Sequence, residues 1–214
     1  MDIINLLSWL KAGKFSKTVP EDALSVIAVP NITRGDAYLP VTVPTLVLSN
    51  NIGKRLGGGI VVDEWDENGV KKFLIASLTN LSNSLPWTIS PYTGIFLGGT
   101  SKVDGLPNTD AIIAQTGAPA ATTYAAGIAR LYLGGGYNDW YLPSNHELTA
   151  MMRAAFIVNR NLSVTQALST TGSYASSTEL NGINYYGINN ITLASINSLK
   201  TSLNPVRAVR IHTL

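Results

Sequence analysis

The sequence predicts an α+β fold, and three observations carry that expectation: an early hairpin, two helical patterns in the middle and an alternating strand at the end. Ile60, Val61 and Val62 form an apolar run, Asp66-Glu67-Asn68-Gly69 has the composition of a tight hairpin turn, and Lys72 to Ala76 returns. AATTYAAGIARLYL places Tyr124, Ile128 and Leu131 on one helical face, and Gly134-Gly135-Gly136 stops that helix. Ser144 and Glu147 have the spacing of a capping box, in which each side chain satisfies the other residue's free backbone N–H. Leu148, Met151, Met152 and Ala155 follow at helical intervals. Val206 to Ile211 alternates, with Val206, Ala208 and Arg210 opposite to Arg207, Val209 and Ile211, and is expected to close the sheet begun at Ile60.

Ahead of this domain the text changes. Asp2 can cap a short helix carrying Ile3, Leu6, Leu7 and Leu10 on one side, with Trp9 beside them and Gly13 at its end. So short an isolated helix is barely stable in water, so it needs a partner surface. From Val19 to Ser49, Pro20, Pro30, Pro40 and Pro44 sit among β-branched residues, which favours extended chain because proline removes a donor and disfavours helix before it. Two readings stay open for this stretch: a strand packing on the main domain, or an arm lying on another protein. The expected division is an N-terminal anchoring arm over residues 1–52 and a domain over 53–214.

Composition narrows the function. The chain has 214 residues, a net charge of +2, 45% hydrophobic and 13% charged residues; 18 Ser, 20 Thr and 18 Asn, with 19 Gly and 10 Pro, make it loop-rich. Lys and Arg are scattered without runs, so no electrostatic footprint for nucleic acid is present. Zero Cys removes disulfides, thiolate metal sites and cysteine nucleophiles, and only His146 and His212 remain as imidazoles. The start lacks a basic leader and an Ala-x-Ala site, and no run approaches a membrane span, so synthesis in a cytoplasm without membrane insertion is expected.

Gly135-Gly136-Tyr137-Asn138-Asp139-Trp140-Tyr141-Leu142-Pro143-Ser144, followed by Glu147-Leu148, resembles the GGY-x-DW-x-LP-[ST]-x-x-EL signature of the DUF1566 family, also called the C-terminal domain of Legionella collagen-like protein. Four further blocks agree in order: Gly58-Gly59-Ile60-Val61, Gly105 through Asn108-Thr109 to Ile112, Tyr174 to Glu179, and Val206-Arg207-Ala208-Val209-Arg210. The resemblance covers roughly residues 55 to 212. One departure is Ala175, where the family usually carries Trp. The resemblance implies a C-type lectin-like domain with two helices and a small twisted, mostly antiparallel sheet. LLSWLKAGKF and TRGDAYLPVTVP are similar to short leaders of tailed-phage structural proteins.

The motif residues are expected to be architectural. Asp139 holds backbone at a tight turn, Trp140 supplies apolar area, Leu142 and Pro143 lead into the helix, and Ser144 and Glu147 cap it. Arg207 and Arg210 need carboxylate partners if buried, and Asp139 or Glu147 is the expected choice. The calcium triplets of sugar-binding C-type lectins are missing, and Asp63, Glu64, Asp66 and Glu67 read as a solvated hairpin tip, so no metal is expected. Neither Gly57-Gly58-Gly59 nor Gly134-Gly135-Gly136 fits a phosphate loop, and no nucleophile–base set is legible, so neither enzyme activity nor a cofactor is expected. The candidate ligand surface is the charge-poor set Tyr174, Glu179, Asn181, Asn184, Tyr185, Tyr186, Asn189 and Asn190, whose tyrosines and amides suit sugars.

These readings lead to a phage virion fibre or decoration protein, homo-oligomeric, held to other virion proteins through residues 1–52 and displaying a lectin-like domain to a bacterial surface glycan. A purely structural assembly protein touching only neighbouring virion subunits is the alternative; a bacterial adhesin is disfavoured by the missing signal peptide.

Overall fold

The computed structural model describes residues 51–116 and 121–214. Its strands are β1 (Arg55–Leu56), β2 (Gly59–Glu67), β3 (Val70–Ala76), β4 (Ser82–Leu85), β5 (Ser173–Glu179), β6 (Asn184–Asn189), β7 (Ser195–Leu199), β8 (Asn204–Val206) and β9 (Val209–Thr213). Between β4 and β5 come α1 (Gly105–Thr116), α2 (Ala125–Leu131), α3 (Asn145–Arg153) and α4 (Ala155–Asn159). The chain is therefore mixed α+β, with sheets β1-β2-β3-β9, β4-β8 and β5-β6-β7, every pairing in them antiparallel.

The β2–β3 hairpin forms as the sequence predicts. Asn68 and Gly69, at φ 54° and 79°, make the two-residue turn, and Glu67 faces Val70. Both faces of this hairpin are covered, which explains its nearly unbroken apolar text. Ile60, Val62, Leu74 and Ala76 pack with Leu148, Met151, Met152 and Val158 of α3 and α4. Val61, Phe73 and Ile75 pack on the other side with Trp87, Ile112, Tyr124, Trp140 and Ala208. Strand alternation puts Ile60 and Val62 on one face and Val61 on the other, and a register shift between Val61 and Asp63 brings Asp63 and Trp65 to the Leu74 side.

Helix α3 starts as expected. The Ser144 hydroxyl accepts from the Glu147 N–H at 3.3 Å, and the Glu147 carboxylate accepts from the Ser144 N–H at 2.7 Å. Its apolar stripe continues through a break after Arg153 into α4, which carries Ala155.

Several expectations are corrected. The described residues hold four helices rather than two; Gly105 and Pro107 hide α1 from a reading of the sequence. Pro107 lies in the first turn, where helical N–H groups have no partner to lose. Tyr124, Ile128 and Leu131 do not form a buried stripe: Tyr124 is the extended N-cap of α2, Ile128 is half-buried and Leu131 is exposed. The buried side is Ala125, Ala126, Gly127 and Ala129, small residues that allow close approach; a Cβ at Gly127 would collide with the Ala121 backbone. The terminal alternation also fails as one strand. Val206 ends β8 in one sheet, Val209 begins β9 in another, and every residue from Val206 to Arg210 is buried. Because the chain changes sheets there, side-chain period two no longer separates inside from outside.

Ile3, Leu6, Leu7, Trp9 and Leu10, together with the rest of the arm up to residue 50, lie outside the described residues. Asn51 and Ile52, grouped with the arm by sequence, are held by the domain. Asn51 Nδ2 donates to Glu64 at 2.8 Å, and Ile52 packs against the α3–α4 side of the core.

Candidate functional site

The motif blocks meet around the start of α3. Thr109 Oγ1 accepts from the Leu142 N–H at 3.1 Å and donates to the Gly105 carbonyl. Asn108 Nδ2 donates to the Ser101 carbonyl at 2.6 Å, and its Oδ1 takes the Ser101 N–H. Ser177 N–H donates to the Pro143 carbonyl at 2.7 Å, and Asn145 N–H to Thr178 Oγ1 at 2.9 Å. Glu147 accepts from Gly105 N–H, Ser144 N–H and the Tyr141 hydroxyl. Buried irregular chain requires such partners. The small polar residues of these segments supply them.

Asp139 and Arg210 form the expected pair, with Nε–Oδ1 at 2.6 Å and Nη2–Oδ2 at 2.8 Å, and the guanidinium stacks 3.8 Å from the Tyr137 ring centre. Arg207 is a correction: among the described residues it has no carboxylate partner. Its guanidinium donates to the carbonyls of Ser77, Leu78 and Gln166 and to Asn80 Oδ1. Burial pulls its pKa down to about 10, so it remains charged at neutral pH. Trp140 is fully buried, with Nε1 donating to the Gly134 carbonyl at 3.1 Å. In the same core cluster as Ala175, Trp87 stacks on Tyr185 at 5.6 Å and donates Nε1 to the Ser176 carbonyl, so large rings fill the core that Ala175 shares.

The hydrogen bond to Arg210 is the main reason that the Asp139 carboxyl sits below its ordinary pKa. A carboxyl lowered in the folded state adds stability above its unfolded pKa and loses it as pH falls through the folded value. Asp139→Asn is therefore expected to lower wild-type stability at neutral pH by under about 1 kcal/mol, because its half-exposed carboxylate is solvent-screened. The difference should vanish in acid, as read by urea unfolding at several pH values. Glu147 has the opposite sign, since burial raises its pKa and its ionised form is costlier in the folded state.

The expected ligand surface is not one surface. Tyr174, Glu179, Tyr185 and Asn190 are buried. The Tyr174 hydroxyl donates to Asn80 and accepts from Ser169 N–H, while Tyr185 accepts from Asn204. Glu179 is wholly enclosed against Lys200, with Leu97 and Gly98 N–H groups donating to its carboxylate and Lys200 also donating to the Ile95 carbonyl. Asn181 and Asn184 shape the β5–β6 turn, where the Asn181 side-chain carbonyl takes the Ile183 and Asn184 N–H groups. Asn189 does the same for Ile191 and Thr192 after β6. Tyr186 lies half-buried beneath the Lys102 ammonium, 4.9 Å from its ring centre. The amides that suit sugar recognition in the sequence satisfy turns at opposite ends of β6.

The structure instead brings together a cleft of about 330 Å³ lined by Trp65, Asp63, Asp104, His146 and Ile211. Trp65 projects from β2 and Asp63 lies two residues before it; Asp104 precedes α1, and His146 is exposed in the first turn of α3. One oxygen of Asp63 accepts from Glu64 N–H, and one oxygen of Asp104 from Leu106 N–H. The second oxygen of each has no partner among the described residues. A ring beside carboxylate acceptors can take the apolar face of a pyranose and its hydroxyls together. Sequence alone places Asp63 with the hairpin tip; the signal that points to the cleft is Trp65, an aromatic residue amid the acids of DEWDEN.

Among the described residues, no group of three or more His, Asp or Glu gathers as metal ligands, and no helix is long and apolar enough to cross a membrane. No protein-family model matches the chain, and no curated protein matches it.

Proposed function

We propose that this chain is a non-enzymatic phage virion protein, a fibre or decoration subunit of C-type lectin-like, DUF1566-like character, anchored through the residues that precede Asn51 and displaying the domain from Asn51 onward to a bacterial surface glycan. The Trp65 cleft carries the recognition part of this reading: an aromatic ring and two carboxylates with a spare oxygen each line one opening of saccharide size. The glycan site is thereby moved from the β5–β6 amides to the groove between β2 and the start of α3. The five sequence blocks in order, three of which meet at the start of α3, support the family reading.

The test is binding of the full chain to an array of bacterial surface glycans, followed by titration of the best ligand. Trp65→Ala is expected to weaken that ligand about tenfold or more, equivalent to about 1.4 kcal/mol, with cooperative unfolding kept and a modestly lower melting temperature from the packing its half-buried ring loses. Absence of any glycan binding, or full affinity in Trp65→Ala, would favour a protein that contacts only neighbouring virion subunits.

A further inference from the structure

A second cleft, of about 480 Å³, opens between α3–α4 and the turn that follows β6. Its chemistry differs from that of the Trp65 cleft. Phe156 and Ile191 stand at its sides 75% and 72% exposed, a pair of large apolar groups left open to solvent at one opening. Arg153 and Arg160 line it as well, and no acidic residue does. Neither arginine has an ion-pair partner among the described residues, although the Arg160 guanidinium lies 5.6 Å from the Phe156 ring centre.

Asn190 supplies an independent observation. It lines this cleft while only 6% exposed, and its Nδ2 donates to the Ser169 and Thr171 carbonyls at 3.0 Å each. Those two bonds fix which way the amide faces. Its Oδ1 is left buried without a hydrogen-bond partner among the described residues. A buried acceptor of this kind is rare in a folded chain and marks a polar point at the edge of a mostly apolar cleft.

We propose that this cleft binds an acidic sugar, a pyranose carrying a carboxylate. The two guanidinium groups take the carboxylate, a geometry for which arginine is suited. The exposed Phe156 face receives the C–H face of the ring, and a ring hydroxyl lies over the polar wall at Asn190. Charge selects the ligand: a neutral sugar would leave both cations unanswered, and a bare inorganic anion would leave the apolar walls uncovered. This inference rests on the glycan-display reading for its choice of a saccharide, and it concerns a different opening from the Trp65 cleft.

The experiment titrates the full chain, by calorimetry, with an oligosaccharide containing hexuronic acid, its carboxyl-reduced neutral counterpart, inorganic phosphate and an acidic peptide. The expected result is saturable uronate binding that weakens at least about tenfold on carboxyl reduction and to a similar degree in Arg160→Gln, with Trp65→Ala unaffected. Phe156→Ser should weaken the uronate without altering the melting temperature, because the ring is exposed. Equal binding of the reduced sugar, of phosphate or of the acidic peptide would overturn the proposal, as would full uronate affinity in Arg160→Gln. Neutral-glycan binding lost in Trp65→Ala, with no uronate binding, would sink this inference alone. Failure of every saccharide would sink both readings.

Discussion

Lys200→Met is expected to destabilise the domain by about 3 to 5 kcal/mol, the range for breaking one side of a buried ion pair. Both side chains are fully buried, so the Glu179 carboxylate would lose its cation with no water to replace it. The same ammonium lies 4.9 Å from the Trp87 ring centre and donates to the Ile95 carbonyl, tying the loop before α1 to the β5-β6-β7 sheet. The melting temperature should fall by about 10 °C, at roughly 2 to 4 °C per kcal/mol for a domain of this size. Adding Glu179→Gln to Lys200→Met should recover most of the loss: the amide keeps a carbonyl acceptor for the Leu97 and Gly98 N–H groups and leaves no unpaired charge. Denaturant unfolding of the two single variants and the double variant decides the matter. A loss under about 1 kcal/mol in Lys200→Met, or a double variant as unstable as the sum of its singles, would show that the pair is not an enclosed unit.

Trp140→Ala should cost about 3 to 5 kcal/mol, as other large buried aromatics do when truncated. The ring is fully buried in the cluster that covers one face of β2–β3, meets Tyr132 edge-on at 5.0 Å, and lies 5.9 Å from the Arg210 guanidinium. Its indole N–H also holds the Gly134 carbonyl at the glycine turn. Trp140→Phe separates the two contributions, since it keeps most of the apolar volume and removes the hydrogen bond. About 1 to 2 kcal/mol is expected for it. An alanine variant with an unchanged unfolding midpoint would remove Trp140 from the centre of the core.

The contrast between these two residues shows where sequence reasoning reaches. Trp140 stands in a run whose turn, capping box and helix are local, and its burial is legible from close neighbours in the chain. Lys200 and Glu179 are 21 positions apart in a stretch poor in charge. Their scarcity suggests a polar recognition surface, whereas each is the other's partner inside the fold. Arg207 shows the same limit, for its acceptors at Ser77, Leu78 and Asn80 lie 130, 129 and 127 positions away and are mostly backbone carbonyls, which no side-chain pattern announces.

By itself the sequence determined the α+β class, the β2–β3 hairpin with its Asn68-Gly69 turn, the Ser144–Glu147 cap and the need of a late arginine for a carboxylate of the Asp139–Glu147 segment, which Arg210 meets with Asp139. Each depends on backbone preferences of a few adjacent residues or on charges too scarce to have many partners. Only the tertiary structure decided that β8 and β9 join different sheets, that α1 is a helix, and that the asparagines around β6 serve turns. It also decided that Trp65 shares a cleft with Asp104, and Phe156 with Asn190. Those outcomes depend on which distant segments become neighbours when the apolar faces of β2 and β3 are both covered, and local periodicity does not encode that choice.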